Sequence, residues 1–183
     1  GGGRVRWSRL GLGRVFASPA VSGDLVVVGS DGGAFVGLGP RGVDRWRLAS
    51  EEDCDAPAVV GDDGAVYVAS RWLRARDPDG RTRYSVDLAG HVFGAPALHG
   101  DTLYVPEMPG AVAMLRAADG GLVRRVALPA LQVGGVLVLD DGGFVVGSED
   151  GQVRAFGPDG AARWSFATQG ASRGLGVRTT PAL

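Results

Sequence analysis

The element Ser18-Pro19-Ala20-Val21 recurs along the chain as Ala56-Pro57-Ala58-Val59, Ala95-Pro96-Ala97-Leu98 and Thr180-Pro181-Ala182-Leu183. A further register, with Gly135 at the proline position, lies between the last two copies. Successive registers are separated by 38, 39, 39 and 46 residues. A period of about 20 to 50 residues is typical of repeat architectures, in which each unit packs only against its neighbours.

A second marker repeats with nearly the same period. A glycine is followed four residues later by an aromatic residue at Gly3/Trp7, Gly42/Trp46, Gly80/Tyr84 and Gly160/Trp164. Gly120/Arg124 fills the remaining register, with an arginine in place of the aromatic residue. The steps between these glycines are 39, 38, 40 and 40 residues. Because two independent markers agree, the chain is predicted to consist of repeated structural units.

Each unit contains four short apolar segments separated by glycine-rich turns. In the second unit, Gly61-Asp62-Asp63-Gly64 precedes the run Ala65–Val68, whose alternating side chains suit a half-buried strand. Turns about 8 to 12 residues apart are typical of all-β folds. Four strands per period predict a β-propeller of four-stranded antiparallel blades, because stacked sheets bury each other's apolar faces. A solenoid of helix pairs needs helices of about 11 residues, and few stretches here lack Gly and Pro for that length.

The markers divide the chain into four complete blades and two partial ones. The predicted blades are 11–48, 49–88, 89–128 and 129–168, within a single incomplete propeller domain, 1–183. Residues 1–10 are predicted to form the last strand of a preceding blade, and residues 179–183 the first strand of a following one. The longer final spacing predicts an insertion around Gln169–Val177. The chain is therefore expected to be part of a longer propeller.

The composition excludes several kinds of chemistry. The chain has no Lys or Asn, so it carries neither a lysine for a Schiff base or phosphate-binding loop nor an N-glycosylation acceptor. Cys54 is the only cysteine, which excludes an intrachain disulfide and a cysteine-based zinc site. The net charge of −1 gives no overall field that would attract nucleic acid or an anionic membrane. No stretch reaches the roughly 18 apolar residues of a transmembrane helix.

The units resemble the PQQ-like, or quinoprotein-like, β-propeller repeat. Unit 2 carries the Ala, Asp, Gly and aromatic positions of that repeat at Ala75, Asp77, Gly80 and Tyr84. In unit 4 Gly157 replaces the Asp, and in unit 3 Arg116 and Arg124 replace the Asp and the Trp. The resemblance implies that the aromatic side chain packs between adjacent blades, where a Trp buries roughly 150–250 Å². The residues interpreted in this way are Trp7, Trp46, Tyr84 and Trp164; a stacking platform for a cofactor is the alternative.

Two glycine-rich motifs match functional patterns in sequence alone. Gly170-Ala171-Ser172-Arg173-Gly174 fits the G-x-S-x-G nucleophile pattern, which requires a strand before the serine, a helix after it and a later histidine. Both histidines precede Ser172, so an inter-blade loop is the preferred interpretation. The segment 37–42 fits G-x-G-x-x-G, but Pro40 and the short segment around Trp46 favour a hairpin over a dinucleotide site.

Clusters of charged residues allow either a binding or a structural interpretation. Glu51-Glu52-Asp53-Cys54-Asp55 offers oxygen ligands to Ca²⁺, although an exposed loop between blades is the preferred interpretation, and its negative charges disfavour a Cys54 thiolate. Five arginines lie close together in sequence: Arg71, Arg74, Arg76, Arg81 and Arg83. Successive side chains of a strand point to opposite faces, which favours solvated or ion-paired positions over one patch that binds a partner protein or nucleic acid. His91 and His99 have no second clustered ligand in the sequence, which favours turn or rim positions over catalysis or metal binding.

These observations predict a non-enzymatic scaffold with no catalytic, cofactor-binding or metal-binding residues and no cofactor. The expected partners are proteins that bind the loops at the propeller rim, and no nucleic acid is expected. The resemblance implies a bacterial cell-envelope protein in the periplasm or outside the cell. The alternative is a fragment of a PQQ-dependent dehydrogenase whose quinone and Ca²⁺ ligands lie outside this chain. A propeller hydrolase or lyase with axial His and carboxylates is a weaker alternative, because only two histidines are present.

Overall fold

The computed structural model describes residues 3–50, 52–132 and 134–182. Blade 1 contains β1 (Ala20–Ser22), β2 (Leu25–Ser30), β3 (Ala34–Leu38) and β4 (Asp44–Ala49). Blade 2 contains β5 (Val59–Val60), β6 (Val66–Ala69), β7 (Trp72–Arg76) and β8 (Thr82–Asp87). Blade 3 contains β9 (Ala97–His99), β10 (Thr102–Glu107), β11 (Ala111–Arg116) and β12 (Leu122–Ala127). Blade 4 contains β13 (Val136–Val138), β14 (Phe144–Gly147), β15 (Gln152–Phe156) and β16 (Ala162–Ala167).

Each blade is an antiparallel sheet whose four strands pair in chain order. The tight turns between them follow from aspartate side chains that bind the backbone two residues further on. Asp63 accepts a hydrogen bond from the amide of Ala65 at 2.9 Å, and Asp119 accepts one from the amide of Gly121 at 2.8 Å. The prediction of an all-β propeller with four-stranded antiparallel blades is confirmed.

The hydrophobic core lies between the blades. Blades 1 and 2 meet through Val27, Phe35, Val66 and Val68. Blades 2 and 3 meet through Tyr67, Leu73, Leu103 and Leu115. Blades 3 and 4 meet through Tyr104, Met114, Phe144 and Phe156. The apolar faces of adjacent blades therefore bury each other, as expected for a stack of two-faced sheets.

The glycine-to-aromatic marker has a structural cause. Gly80 lies in the turn between β7 and β8 with a φ of +91°, and a Cβ atom there would come within 2.6 Å of the Trp46 side chain. A Cβ atom at Gly120 would meet Tyr84 at 2.7 Å. The aromatic residue of one blade thus packs on the turn glycine of the next blade. Trp46, only 8% exposed, is consequently unavailable as a stacking platform for a cofactor.

The sequence assigns the two ends of the chain to neighbouring blades. Residues 3–10 and 179–182 form no strand, and Leu183 lies outside the described residues. A strand needs a partner for its backbone groups, and the described residues provide no preceding or following sheet. Trp7 nevertheless packs on Gly42 as Trp46 packs on Gly80, and Thr180 lies next to Gly135. The assignment of these segments to neighbouring blades stays a prediction, as do the blade boundaries.

Candidate functional site

Several side chains with functional potential lie at one end of the blades. Because the strands of each blade alternate in direction, the turn between the second and third strands of a blade lies at the same end of the sheet as the connections between blades. Backbone hydrogen bonds join them, such as Val92 N to Ser70 O at 2.9 Å and Met108 N to His91 O at 2.9 Å. We call this surface the linker face; it comprises residues 30–33, 52–58, 70–71, 88–96, 108–110, 128–132, 148–151 and 168–181.

An acidic cluster lies on the linker face at blade 1. Asp31, in the β2–β3 turn, meets Asp53 and Asp55 of the following linker, with one oxygen of each carboxylate within 4.8 Å of the others. Burial, a hydrogen bond with Asp31 and repulsion from both neighbours raise the pKa of Asp55 from 3.8 to about 6. The oxygen donors suit a hard cation such as Ca²⁺. Exposed acidic groups of this kind are common without an ion, so we assign the cluster no ligand.

The same linker is not simply exposed, which corrects part of the sequence interpretation. Cys54 and Ala56 are completely buried, while Asp53 is exposed and Asp55 is partly buried. Burial raises the pKa of the Cys54 thiol to about 11, with a further contribution from the negative charges of Asp55 and Asp53. A protonated thiol is a poor nucleophile and a poor metal ligand. Cys54 packs in the core between blades 1 and 2, so its role there is structural.

His91 is less isolated than the sequence indicated. Its Nε2 lies 2.7 Å from the Oε2 atom of Glu52, on the neighbouring linker. Its ring stacks on Phe93 with the centroids 5.2 Å apart. His99 ends β9 on an exposed position. The tertiary structure therefore links two blade connections through His91 and places no second histidine beside it.

An open apolar cavity continues along the linker face towards blade 4. It has a volume of about 440 Å³ and is lined by Phe93, Met108, Leu131, Glu149 and Arg178. Phe93 is 37% exposed. The Nε atom of Arg178 donates a hydrogen bond to Glu149 Oε1 at 2.8 Å, so the apolar floor has a charged border. Apolar surface with a polar rim is typical of a site that binds a protein segment.

Neither glycine-rich motif forms the site that its pattern allows. Ser172 lies in a short 3₁₀ helix (Ala171–Arg173), and its hydroxyl donates to the carbonyl of Gln169. No strand precedes it directly and no longer helix follows within the described residues, so the geometry of a nucleophile turn is not formed. The segment 37–42 runs from β3 into the β3–β4 hairpin rather than into a helix.

The arginines of blade 2 take structural positions. Arg83 donates to Asp63 at 2.6 Å and to Asp77 at 2.7 Å. Arg74 stacks over Trp72 with its guanidinium carbon 3.8 Å from the ring centroid. These contacts distribute the arginines between ion pairs and aromatic faces, as alternating strand positions predict.

Sequence reasoning missed two sets of ion pairs. Glu107, 1% exposed, accepts hydrogen bonds from Arg125 at 2.6 and 3.1 Å and from the amide of Ala89 at 3.1 Å. A second set repeats on the opposite face. There the arginine before three of the four aromatic markers pairs with the turn between the first and second strands of its blade: Arg45 with Asp24, Arg83 with Asp63, and Arg163 with Asp141. The recurring Arg-aromatic pair was visible in the sequence, whereas nothing local marked Glu107.

Comparison with known proteins agrees with this architecture. A family model described as outer membrane protein assembly factor BamB matches residues 69–183. The chain belongs to this family. BamB from Moraxella catarrhalis has a similar structure, with a TM-score of 0.76 and 22% identity over 91% of the chain. The chain spans 55% of that BamB structure.

A designed protein also shares the fold. The computationally designed Ika4 protein matches 85% of the chain and 98% of its own length, with a TM-score of 0.74 and 16% identity. No curated protein matches the chain by sequence. The described residues contain no helix with the length and hydrophobicity needed to cross a lipid bilayer. Together, these comparisons and the strand topology identify a BamB-type, PQQ-like propeller.

Proposed function

We propose that the chain is a non-catalytic scaffold that binds protein partners in the bacterial cell envelope, during outer-membrane protein assembly. Membership of the BamB family supports this role, because the family is described as an assembly factor. The observation that carries the proposal is the charged and apolar cavity formed by Phe93, Met108, Leu131, Glu149 and Arg178. Rigid strands hold these loop residues, which suits recognition of a partner.

The shape and charge of this cavity suit an apolar side chain from a partner loop. Phe93 and Met108 offer an aromatic and a flexible thioether surface, and both residue types are enriched in protein interfaces. The border formed by Glu149 and Arg178 offers both signs of charge to the partner backbone or side chains. No step of a reaction is assigned to these groups, because no nucleophile lies with a base among them.

Binding to the outer-membrane protein assembly complex, purified without its own subunit of this family, tests the proposal. We expect saturable binding, with affinity reduced by about tenfold or more in the Phe93→Ser/Met108→Ser variant. Leu122→Ser is the matched control, because Leu122 is 51% exposed on β12, outside the linker face. Equal affinity for both variants, or no binding by the wild-type chain, would contradict the proposal.

Localisation and catalysis give two independent checks. We expect fractionation of the producing bacterium to place the protein in the periplasm or at the outer membrane. Saturable binding of PQQ with Ca²⁺, followed by dye-linked oxidation of an alcohol or sugar, would instead support the dehydrogenase interpretation.

A further inference from the structure

A groove opens between blades 1 and 2, each of which is a described four-stranded sheet. It has a volume of about 480 Å³ and shares no lining residue with the cavity at Phe93. Its lining consists of Ala49, Ser50, Glu52, Arg71, Trp72 and Arg74. The end of β4 and the linker after it supply the first three, and β7 with the turn before it supplies the others. We call this surface the arginine groove.

Blade 4 provides an internal comparison for Arg74. Arg74 pairs with Ser85 of β8. At the same register of blade 4, Arg154 pairs with Ser165 of β16. The guanidinium of Arg154 forms an ion pair with Asp150, in the turn before β15, and the Arg154 side chain is only 12% exposed. The cation of blade 4 is thereby neutralised within its own blade.

The corresponding turn of blade 2 is shorter and contains no carboxylate. Three residues, 70–72, separate the last pair of β6 and β7, whereas five residues, 148–152, separate the equivalent pair of β14 and β15. Asp150 therefore has no counterpart beside Arg74. Instead, the guanidinium carbon of Arg74 lies 3.8 Å from the centroid of the Trp72 ring, and its Nε donates to Ser85 Oγ at 3.4 Å. These contacts, within the described residues, include no ion pair with a carboxylate.

The positive charge at the groove is not confined to Arg74. Arg71 is exposed at its border. Arg76 is partly buried on the same face of β7 as Arg74, since alternate side chains of a strand share a face. Burial and then the positive charge of Arg74 lower the pKa of Arg76 below its ordinary value. An anionic group bound beside Arg74 would offset this repulsion between cations.

The surroundings of Arg74 suit a single carboxylate. Stacking on an aromatic ring holds the guanidinium plane, whose parallel N–H groups match the two oxygens of a carboxylate. Glu52 lines the groove, and Asp87 lies opposite Trp72 on β8, so both carboxylates would repel an extended polyanion such as nucleic acid. An acidic side chain in a protein segment can pair with Arg74 while an adjacent apolar side chain contacts Trp72 and Ala49.

We propose that the arginine groove binds an acidic segment of a partner protein, in which one Asp or Glu carboxylate pairs with Arg74 and an adjacent apolar side chain packs on Trp72. The contact supplies from outside the ion pair that Asp150 makes with Arg154 inside blade 4. Charge complementarity of this kind selects a partner by its acidic residue. The proposal is independent of the proposed function, because the two surfaces use different side chains.

Fluorescence anisotropy of a rhodamine-labelled peptide with the core Glu-Phe-Glu, titrated with the chain, tests the proposal. We expect saturable binding with a dissociation constant below about 300 μM, and binding of the Gln-Phe-Gln counterpart about tenfold weaker or more. Arg74→Gln should weaken binding of the Glu-Phe-Glu peptide about tenfold or more. Ser85→Asp should have a similar effect, because it gives Arg74 a carboxylate partner on the neighbouring strand.

Arg154→Gln and Ser165→Asp are the matched controls, because they make the same chemical changes at the equivalent register of blade 4. Both should leave the dissociation constant of the peptide unchanged, and so should Phe93→Ser/Met108→Ser, which alters the other cavity. Circular dichroism and thermal unfolding establish that each variant is folded.

Three results would overturn the proposal. The first is equal binding of the two peptides, or no binding of either. The second is an equal loss of affinity in Arg74→Gln and Arg154→Gln. The third is tighter binding of oligothymidylate that Arg74→Gln abolishes, which would assign the groove to single-stranded nucleic acid instead of an acidic protein segment.

Discussion

Burial controls the chemistry of single side chains in the linker between blades 1 and 2. Asp53, Cys54 and Asp55 are neighbours in sequence, yet their exposures differ. The Cys54 side chain packs into the core between blades 1 and 2, whereas Asp53 is exposed and Asp55 is partly buried. The buried thiol loses its acidity, and the partly buried carboxyl retains a proton to a higher pH. Desolvation disfavours the charged form of both groups.

Cys54 is expected to resist alkylation in the native state. Its pKa of about 11 and its complete burial leave almost no accessible thiolate near neutral pH. Mass spectrometry after maleimide treatment should show slow labelling of the native chain and rapid labelling in guanidinium. The control is Cys54→Ser/Ala118→Cys, whose thiol lies on an exposed turn. Equal labelling rates for the two native proteins would show that the linker opens readily.

Asp55 is expected to make the chain less stable as the pH rises. Its folded pKa of about 6 lies above its ordinary value of 3.8, so the folded state binds more protons between these values. The stabilisation is fully present below pH 3.8 and is lost as the pH passes about 6. In urea titrations at pH 7, the free energy of unfolding of Asp55→Asn should exceed that of the wild type by about 1 kcal/mol. This figure is reduced to allow for the partial solvation of Asp55. A wild type as stable as Asp55→Asn at pH 7 would contradict this.

At the scale of strands and turns, the contacts between successive blades restrict which residue types can occupy particular positions. Glu107 at the end of β10 is buried and satisfied by Arg125 of β12 and by the linker amide of Ala89. The aromatic residue of the preceding blade packs on the turn glycines Gly80 and Gly120. Both features connect a local element to its neighbour, so their substitution affects stability beyond the element itself.

Removing Arg125 should destabilise the fold strongly. Arg125→Met leaves the Glu107 carboxylate buried without its charged partner, which costs about 3 kcal/mol. Urea unfolding measures the loss, and adding Glu107→Gln should recover much of it. Arg116→Ala is the control in the same blade, because Arg116 and Asp119 are exposed, and it should have no measurable effect. A small effect of Arg125→Met would mean that water reaches Glu107.

Gly80→Ala should separate packing from backbone strain. The added methyl would lie 2.6 Å from Trp46 at a φ of +91°, which together cost about 3 kcal/mol. Gly100→Ala is the control, because its φ is +53° but nothing lies within 4 Å, so only about 1 kcal/mol is lost. Thermal unfolding compares the two variants. Equal losses would contradict the proposed role of Trp46 as a contact between blades.

At the scale of the whole molecule, stability depends on contacts between nearest neighbours. Blades 2 and 3 are each packed between two sheets, whereas blades 1 and 4 each have a described sheet on one side only. The other side of blade 1 is covered by Leu12 and Trp7, but no described sheet covers the other side of blade 4. Every residue of β16 is exposed. In repeat architectures the free energy is approximately a sum of unit and interface contributions, so a unit with one interface opens first.

Hydrogen exchange should therefore be fastest in blade 4. We expect the amides of β15 and β16 to exchange before those of β7 and β11, which lie in blades 2 and 3. Measurement by mass spectrometry at a concentration where the chain is monomeric gives the comparison. Protection of β15 equal to that of β11 would show that the uncovered edge does not weaken blade 4.

The repeat period, the strand class and the turns were predictable because they depend on short stretches of chain. Pro-Ala registers, Asp-Gly turns and alternating apolar residues each express local backbone preferences, and the PQQ-like resemblance added the packing of the aromatic residues between blades. These signals predicted four-stranded blades and a structural role for four aromatic residues. Trp7, Trp46 and Tyr84 pack on turn glycines as predicted, whereas Trp164 is 51% exposed.

Only the tertiary structure determined which distant side chains meet. Asp31 joins Asp53 and Asp55, Glu52 reaches His91, and Arg125 reaches Glu107 because blades pack at fixed angles and bring separate loops together. Residues 3–10 and 179–182 form no strand among the described residues, so their assignment to neighbouring blades stays a prediction. The physical reason is that local preference selects a strand, whereas burial and pairing with a neighbouring sheet decide whether it forms and what it contacts.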